Sequence, residues 1–222
     1  MEVSGARVLR SLPGRETLEV GASVLKRSTE RWALGRSPGA IEYQNLRDLA
    51  RDGIPVPRAL SWSAERTGAL RLARRSEVEM ERIEHAETLR ERLARAAPAE
   101  RRALGERLLA LVVRLHEAGW YHRDLYLQHF VLRGEELVLL DVGRARHERA
   151  PRARWFVKDL AALLHSCPRS VPGRERLRFL ARYLEARGLG GRRAWLRAIL
   201  RREARMARHV PRHGETRPWE DR

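Results

Sequence analysis

Two aspartates with informative neighbours are the strongest candidates for chemistry in this sequence. Asp124 closes the triplet His122-Arg123-Asp124, and Asp141 opens the triplet Asp141-Val142-Gly143. In phosphoryl-transfer sites, the first kind of carboxylate orients the acceptor hydroxyl, and the second holds magnesium against the nucleotide phosphates. His129, five residues after Asp124, occupies the position of a second metal ligand. This spacing is far more specific than the first triplet alone.

The residues between the two aspartates predict a short β-hairpin. Phe130–Leu132 and Leu137–Leu140 are apolar runs of strand length, and the polar sequence Arg133-Gly134-Glu135-Glu136 separates them. A hairpin of this kind is expected to bring Asp124 and Asp141 into one cleft.

Lysine is rare in this chain, and one of its lysines lies where a kinase needs one. Of the 46 basic side chains only Lys26 and Lys158 are lysines. A lysine ammonium is a compact point charge, whereas an arginine guanidinium is a wide planar fork. Lys26 ends a strand-like run, where kinases carry the lysine that contacts the nucleotide phosphates. For Lys158, survival by chance is an equally good explanation.

Glu42 is the predicted partner of Lys26. Ser37 begins a helix as its N-cap, with proline at the next position. Glu42, Leu46 and Leu49 fall on one face of this helix. A carboxylate on an apolar face needs a counter-charge, and Lys26 supplies one. The alternative is that Glu42 lies at the rim of the face and is solvated.

Composition sets the limits on class and partners. The chain has 222 residues, a net charge of +17 and 43% hydrophobic residues, with no apolar run near the ~20 residues of a membrane span. Residues 1–5 lack a signal-peptide pattern, so a cytoplasmic location is expected. Cys167 is the only cysteine, which excludes an internal disulfide. The charge favours a polyanionic partner, but no nucleic-acid motif accompanies it. Part of the charge is a solvated arginine-rich surface.

The predicted organisation is two lobes and a tail. Strands in residues 7–28 surround a turn that contains Gly14, and residues 77–83 form another strand. Helices are expected over residues 97–116, 155–166, 177–187 and 194–208. We predict a nucleotide-binding lobe over residues 1–83, a catalytic lobe over 84–209, and a poorly ordered tail over 210–222.

The stretch from His122 to Leu132 resembles the catalytic loop of the bacterial lipopolysaccharide kinase (Kdo/WaaP) family. Protein kinases place asparagine where this chain has His129, and usually lysine where it has Tyr126; the family shares both departures. The segment Arg154–Leu160 is similar to the family's segment after the metal loop. The likeness extends from about Lys26 to about Ser166.

The resemblance implies an α+β fold of two lobes, a small β-sheet lobe with one helix and a mainly helical lobe, as in protein kinases. It implies ATP and Mg²⁺ as cofactors. Lys26 would then contact the nucleotide phosphates, Glu42 would hold Lys26, and Asp141 and His129 would bind the metal. A kinase glycine-rich loop would lie near Gly14, the one glycine available there to cradle phosphate, so that loop is reduced.

The resemblance also implies the reaction, transfer of phosphate to a sugar hydroxyl (Kdo or heptose) of the lipopolysaccharide inner core. Asp124 would orient or deprotonate that hydroxyl, and Asp159 would brace the backbone of the catalytic loop. The alternatives are another small-molecule kinase or a Ser/Thr protein kinase of the same fold, or a pseudokinase that serves as a binding scaffold.

The sequence after Asp141 favours a substrate other than protein. Asp159 comes 18 positions after Asp141, and no Ala-Pro-Glu triplet lies between them. A protein kinase uses a longer segment there to dock a peptide. The segment instead carries arginines that suit a phosphorylated glycolipid or an anionic membrane surface, at positions 144, 146, 149, 152 and 154. We expect a monomer that contacts the inner membrane peripherally and binds no nucleic acid.

Overall fold

A computed structural model of the chain describes residues 6–29, 36–67, 72–84 and 87–208. The chain divides into two compact units, the first made of residues 1–85 with 133–144 and the second of residues 86–132 with 145–222. The lobe boundary at residue 83 stays a prediction. The predicted tail over residues 210–222 lies outside the described residues.

The described residues contain the predicted helices and strands, together with further elements that the sequence patterns did not predict. The strands are β1 (Arg7–Leu12), β2 (Arg15–Val20), β3 (Ser23–Ser28), β4 (Ala59–Thr67), β5 (Leu72–Glu81), β6 (Trp120–Tyr121), β7 (Phe130–Arg133), β8 (Glu136–Leu139) and β9 (Arg146–His147). The helices are α1 (Pro38–Arg51), α2 (Leu89–Arg95), α3 (Pro98–Glu117), α4 (Ala153–Ser166), α5 (Gly173–Ala186) and α6 (Arg192–Ala207).

The first unit contains a five-stranded antiparallel sheet. Its strand order is β1-β2-β3-β5-β4. The predicted turn between β1 and β2 is present at Pro13-Gly14, and Gly14 has a φ of 74°. In β3, Lys26 lies opposite Thr17 of β2 and Val78 of β5, so its backbone is held on both sides. The strand β4, which the sequence patterns did not predict, pairs with β5 at the edge of the sheet.

Helix α1 packs closely on the sheet of this unit. Its predicted cap is present, because the Ser37 hydroxyl accepts a hydrogen bond from the Ala40 N–H at 3.3 Å. A side chain at Gly39 would place its Cβ 2.5 Å from the Glu77 carbonyl oxygen of β5. Glycine at this position therefore lets the start of α1 approach β5 closely.

The second unit is mainly helical, and α3 lies at its core. Five apolar side chains of α3 are buried, namely Leu104, Leu108, Leu111, Val112 and Leu115. The sequence patterns did not predict the seven-residue helix α2, because it is too short to show the periodicity of apolar residues on a helix face. A capping box between Thr88 and Glu91 begins it.

No helix in the described ranges combines the length and the apolar character that crossing a bilayer requires.

Candidate active site

Lys26 contacts two carboxylates in the first unit. Its Nζ lies 2.6 Å from Oε1 of Glu42 and 2.8 Å from Oδ1 of Asp141. The Lys26 side chain is 23% exposed, so these contacts are partly shielded from water. The ion pair between Lys26 and Glu42 that the sequence predicted is therefore present, and Asp141 joins it. Charge-assisted hydrogen bonds of this length are among the stronger polar contacts in proteins.

Packing of α1 brings Glu42 to this position. Leu46 and Leu49, one and two turns further along the same face, are 1% and 0% exposed, and Glu42 itself is 8% exposed. The carboxylate is therefore held at the edge of the core, where a bare charge would be unfavourable. The alternative of a solvated Glu42 at the rim of the helix is wrong.

The turn that carries Asp141 is tied to the same helix. Asn45 donates a hydrogen bond from its amide to the Val142 carbonyl oxygen at 2.8 Å. Asp141 has a φ of 54°, in the left-handed region that few side chains adopt. A Cβ at Gly143 would come within 3.0 Å of Oε2 of Glu42. The glycine of the Asp-x-Gly triplet thus allows Glu42 and the turn to lie against each other.

The charge on Lys26 is fixed by these neighbours. Burial by itself would lower the Lys26 pKa, but the carboxylates of Glu42 and Asp141 more than offset this effect and raise the pKa above its ordinary value. Lys26 is accordingly an ammonium ion throughout the physiological pH range, available to an anionic ligand as a permanent positive charge.

The catalytic loop is braced in the second unit by one buried carboxylate. Asp159, on α4, is fully buried and accepts hydrogen bonds from the N–H groups of His122 at 2.6 Å and Arg123 at 2.7 Å. Arg123 has a φ of 73°, a strained conformation for a residue with a side chain. The bracing role that the resemblance implied for Asp159 is present in the structure, and it holds this strained turn.

A buried histidine completes the surroundings of Asp159. Burial lowers the pKa of His116, although the hydrogen bond to Asp159 opposes this, so the ring is neutral near pH 7. Its Nε2 lies 3.4 Å from Oδ2 of Asp159, and its Nδ1 lies 2.7 Å from the Tyr183 hydroxyl. A carboxylate only accepts hydrogen bonds, so Nε2 carries the proton and Nδ1 accepts from Tyr183.

We expect Asp159→Asn to destabilise the protein. The amide retains one acceptor oxygen, so at least one of the buried donors around it loses its partner, at a free-energy cost of about 1–3 kcal/mol. For a chain of this size the melting temperature should fall by roughly 2–4 °C for each kcal/mol. Differential scanning calorimetry measures the change. The exposed Glu185→Gln is the control, and equal melting temperatures for the two variants would contradict the bracing role.

Asp124 lies in the second unit beside Lys158. The Nζ of Lys158, on α4, is 3.6 Å from Oδ1 of Asp124, and the two side chains are only 16% and 20% exposed. No pattern in the sequence predicted this partner for Lys158. The scarcity of lysine was the one available signal, and it applied to Lys158 as well as to Lys26. Lys158 thus places a positive charge beside Asp124 from α4.

His129 is held by the same loop. Its Nδ1 lies 2.9 Å from the Asp124 carbonyl oxygen. A carbonyl oxygen only accepts, so Nδ1 donates this hydrogen bond, and in a neutral ring the lone pair would lie on Nε2. The Leu127 N–H donates to the Ser166 hydroxyl at 2.9 Å, which anchors the loop to the end of α4.

The structure distributes the predicted site residues between the two units. Lys26, Glu42 and Asp141 meet in the first unit, where Gly14 lies at the turn between β1 and β2. Asp124 and His129 share one loop of the second unit. The predicted roles of these residues, and the cleft predicted for the two aspartates, stay predictions.

The fold and these residues together define an α+β protein of the protein-kinase-like class. Residues 18–183 match the profile of the lipopolysaccharide kinase (Kdo/WaaP) family. The chain belongs to this family.

Relatives with described functions are similar to part of the chain. The lipopolysaccharide core heptose(I) kinase WaaP of Pseudomonas aeruginosa is 36% identical over 127 residues, which cover 53% of this chain and 44% of the relative. The 3-deoxy-D-manno-octulosonic acid kinase of Xanthomonas campestris pv. campestris is 33% identical over 133 residues, with coverage of 60% and 51%. The chain thus spans about half the length of these curated relatives.

A solved structure is similar over most of the chain. The structure of WaaP in complex with acyl carrier protein superposes with a TM-score of 0.67 and 28% sequence identity, over 90% of this chain and 88% of that one. The two-lobed, protein-kinase-like fold predicted from the sequence is confirmed.

Proposed function

We propose that this protein transfers the γ-phosphoryl group of ATP to a sugar hydroxyl, on Kdo or heptose, of the lipopolysaccharide inner core. The observation that carries the proposal is the contact of Lys26 with both Glu42 and Asp141. A lysine held by a helix glutamate beside the Asp-x-Gly carboxylate is what a kinase needs to position nucleotide phosphates. An arrangement retained in this detail favours an active enzyme over a scaffold.

The proposed roles divide along chemical lines. Lys26 binds the nucleotide phosphates, with Gly14 at the edge of the reduced phosphate loop. Asp124 orients the acceptor hydroxyl and accepts its proton, because a carboxylate within hydrogen-bonding reach is the usual base at this position. Lys158 places positive charge beside Asp124, where the transferring phosphoryl group carries negative charge.

The chain's residues fit a magnesium ion that is bound together with nucleotide. No group of three or more His, Cys, Asp or Glu side chains suited to a metal occurs within the described ranges. Mg²⁺ is commonly held by one or two carboxylates and completed by substrate phosphates and water, which suits Asp141. His129, whose Nε2 would carry the lone pair of a neutral ring, is the proposed second ligand. When bound, the ion would neutralise charge on the phosphates.

The similarities support a saccharide acceptor over a peptide. The curated relatives are named as kinases of a core heptose and of 3-deoxy-D-manno-octulosonic acid. In this chain, residues 142–158 form a short 3-10 turn, β9 and the start of α4, so little chain is left to dock a peptide. We place the reaction in the cytoplasm, where ATP is available, with the monomeric protein in peripheral contact with the membrane.

The test is a side-by-side assay of acceptors. Purified protein is incubated with Mg-ATP and core lipopolysaccharide, free Kdo, free heptose or a generic protein substrate, and phosphate incorporation is followed by mass spectrometry. We expect transfer to the core saccharide and none to the protein substrate. Transfer to the protein substrate alone would indicate protein kinase activity and contradict a saccharide acceptor. Transfer to no acceptor would contradict kinase activity.

A further inference from the structure

A basic groove lies between α4 and α6 of the second unit. Its volume is about 740 Å³, within the usual range for small-ligand sites. Ala194 and Ala198 contribute small side chains to it, and Trp155 contributes an indole. Six cationic side chains line it, namely Arg154, Lys158, Arg197, Arg201, Arg202 and Arg205. No acidic residue of the described chain lines this groove.

Three arginines of α6 are spaced so that their charges repel one another. Arg197, Arg201 and Arg205 follow each other at intervals of four residues, and like charges at this spacing disfavour a helix. In the described part of the chain, none of these three forms an ion pair with a carboxylate. Many other arginines do, such as Arg27 with Glu77. An anionic ligand would offset the repulsion among these three side chains.

Two further features suit a saccharide that carries negative charge. The Nε of Arg202 is buried and lacks a hydrogen-bond partner among the described residues. The Trp155 ring stacks on Tyr121 with an interplanar angle of 3°, and Arg154 lies over it at 4.6 Å. These neighbours hold the ring in place in the wall of the groove, and the guanidinium groups can bind carboxylate or phosphate in a bidentate manner.

One residue of the groove contacts the proposed catalytic aspartate. Lys158 lines the groove, and its ammonium lies 3.6 Å from Oδ1 of Asp124. A ligand whose anionic groups occupy the groove would therefore lie within one lysine side chain of the carboxylate that orients the acceptor. A basic surface far from Asp124 could not place an acceptor hydroxyl at this carboxylate.

We propose that the α4–α6 groove binds the carboxylate or phosphate groups of the acceptor saccharide and so places its hydroxyl at Asp124. The inference rests on the proposed function and adds to it the site that recognises the acceptor. An inner-core saccharide suits the groove because an octulosonic acid bears a carboxylate and the neighbouring sugars can bear phosphate. Phospholipid headgroups share the phosphate chemistry, and the experiment separates the two sources.

The experiment measures binding without ATP. Isothermal titration calorimetry follows association of the full chain with core oligosaccharide freed of its lipid, before and after treatment with phosphatase. The variant R197Q/R201Q/R205Q removes the row of charges from α6. Its control, R102Q/R174Q/R178Q, removes the same charge from exposed arginines outside the groove. We expect the groove variant to bind the oligosaccharide about ten- to a hundredfold more weakly, and the control to bind as the parent does.

Thermal melting and lipid binding make each outcome decisive. Loss of the repulsion on α6 should leave the melting temperature of the groove variant unchanged or slightly raised, so weak binding cannot be attributed to unfolding. Equal affinities for all three proteins, or no binding by the parent, would overturn the proposal. So would a groove variant that loses only its binding to phosphatidylglycerol vesicles. Because no step requires ATP, a failure of kinase activity would appear separately, in the acceptor assay.

Discussion

Replacement of Asp124 by asparagine is expected to reduce phosphoryl transfer by ~10²–10⁴-fold while the fold and nucleotide binding persist. The amide has the size of the carboxylate but cannot accept the proton of the acceptor hydroxyl. The loop should keep its shape, because the contacts that fix it are made by the Asp124 backbone. Its carbonyl oxygen accepts from His129 Nδ1 and from the Tyr126 N–H, both at 2.9 Å.

Turnover is measured with the acceptor that the side-by-side assay identifies, and Mg-ATP binding is measured by calorimetry. Glu117→Gln makes the same chemical change at an exposed position of the second unit and should behave as the parent does. Turnover by Asp124→Asn within a few-fold of the parent would remove Asp124 from the mechanism. Loss of ATP affinity as well as turnover would show that Asp124 acts on nucleotide binding instead.

Lys26→Arg keeps the positive charge and is nevertheless expected to lower turnover by about a hundredfold. The Lys26 ammonium accommodates two carboxylates, at 2.6 Å and 2.8 Å, around a single nitrogen. A planar guanidinium is wider and cannot keep both contacts while it also reaches phosphate. Loss of one or two hydrogen bonds to charged groups corresponds to about this change.

The neighbouring residue on β3 provides the control for this exchange. Arg27 pairs with Glu77 at 2.7 Å, and Arg27→Lys makes the reverse substitution on the same strand. It should leave turnover within a few-fold of the parent. Steady-state kinetics with ATP, at matched melting temperatures, distinguishes the two. Similar small effects at both positions would contradict the phosphate-binding role of Lys26.

The effect of Lys158→Arg on turnover should lie between the effects of Arg27→Lys and Lys26→Arg. Lys158 contacts Asp124 at 3.6 Å, which is longer than the contacts of Lys26 and leaves more room for a guanidinium. We therefore expect a loss of turnover larger than that of Arg27→Lys and smaller than that of Lys26→Arg.

Local sequence patterns predicted most of the helices and strands, and they predicted the ion pair of Lys26 with Glu42. The Ser37 cap and the apolar face of Glu42, Leu46 and Leu49 predicted α1 and the partner of Lys26, because a buried carboxylate restricts the choice of counter-charge. The triplets at Asp124 and Asp141 predicted the turns that carry them, since a motif of fixed spacing reflects local backbone geometry.

Tertiary structure decided the contacts between residues that no local pattern relates. Asp141 joins Lys26 although 115 positions separate them, and Lys158 meets Asp124 because α4 passes the catalytic loop. Short elements were missed for a related reason, since the seven residues of α2 show no helical period.

By itself, then, the sequence determined the class of the fold, the two aspartates and the pair of Lys26 with Glu42. Only the tertiary structure assigned Lys158 its partner and gathered arginines from α4 and α6 around one groove. The physical reason is that periodicity and caps act over a few residues, whereas a groove is formed by the packing of helices. Along the chain those arginines look like ordinary solvated charge, and their position around one groove becomes visible only when the neighbouring helices are in place.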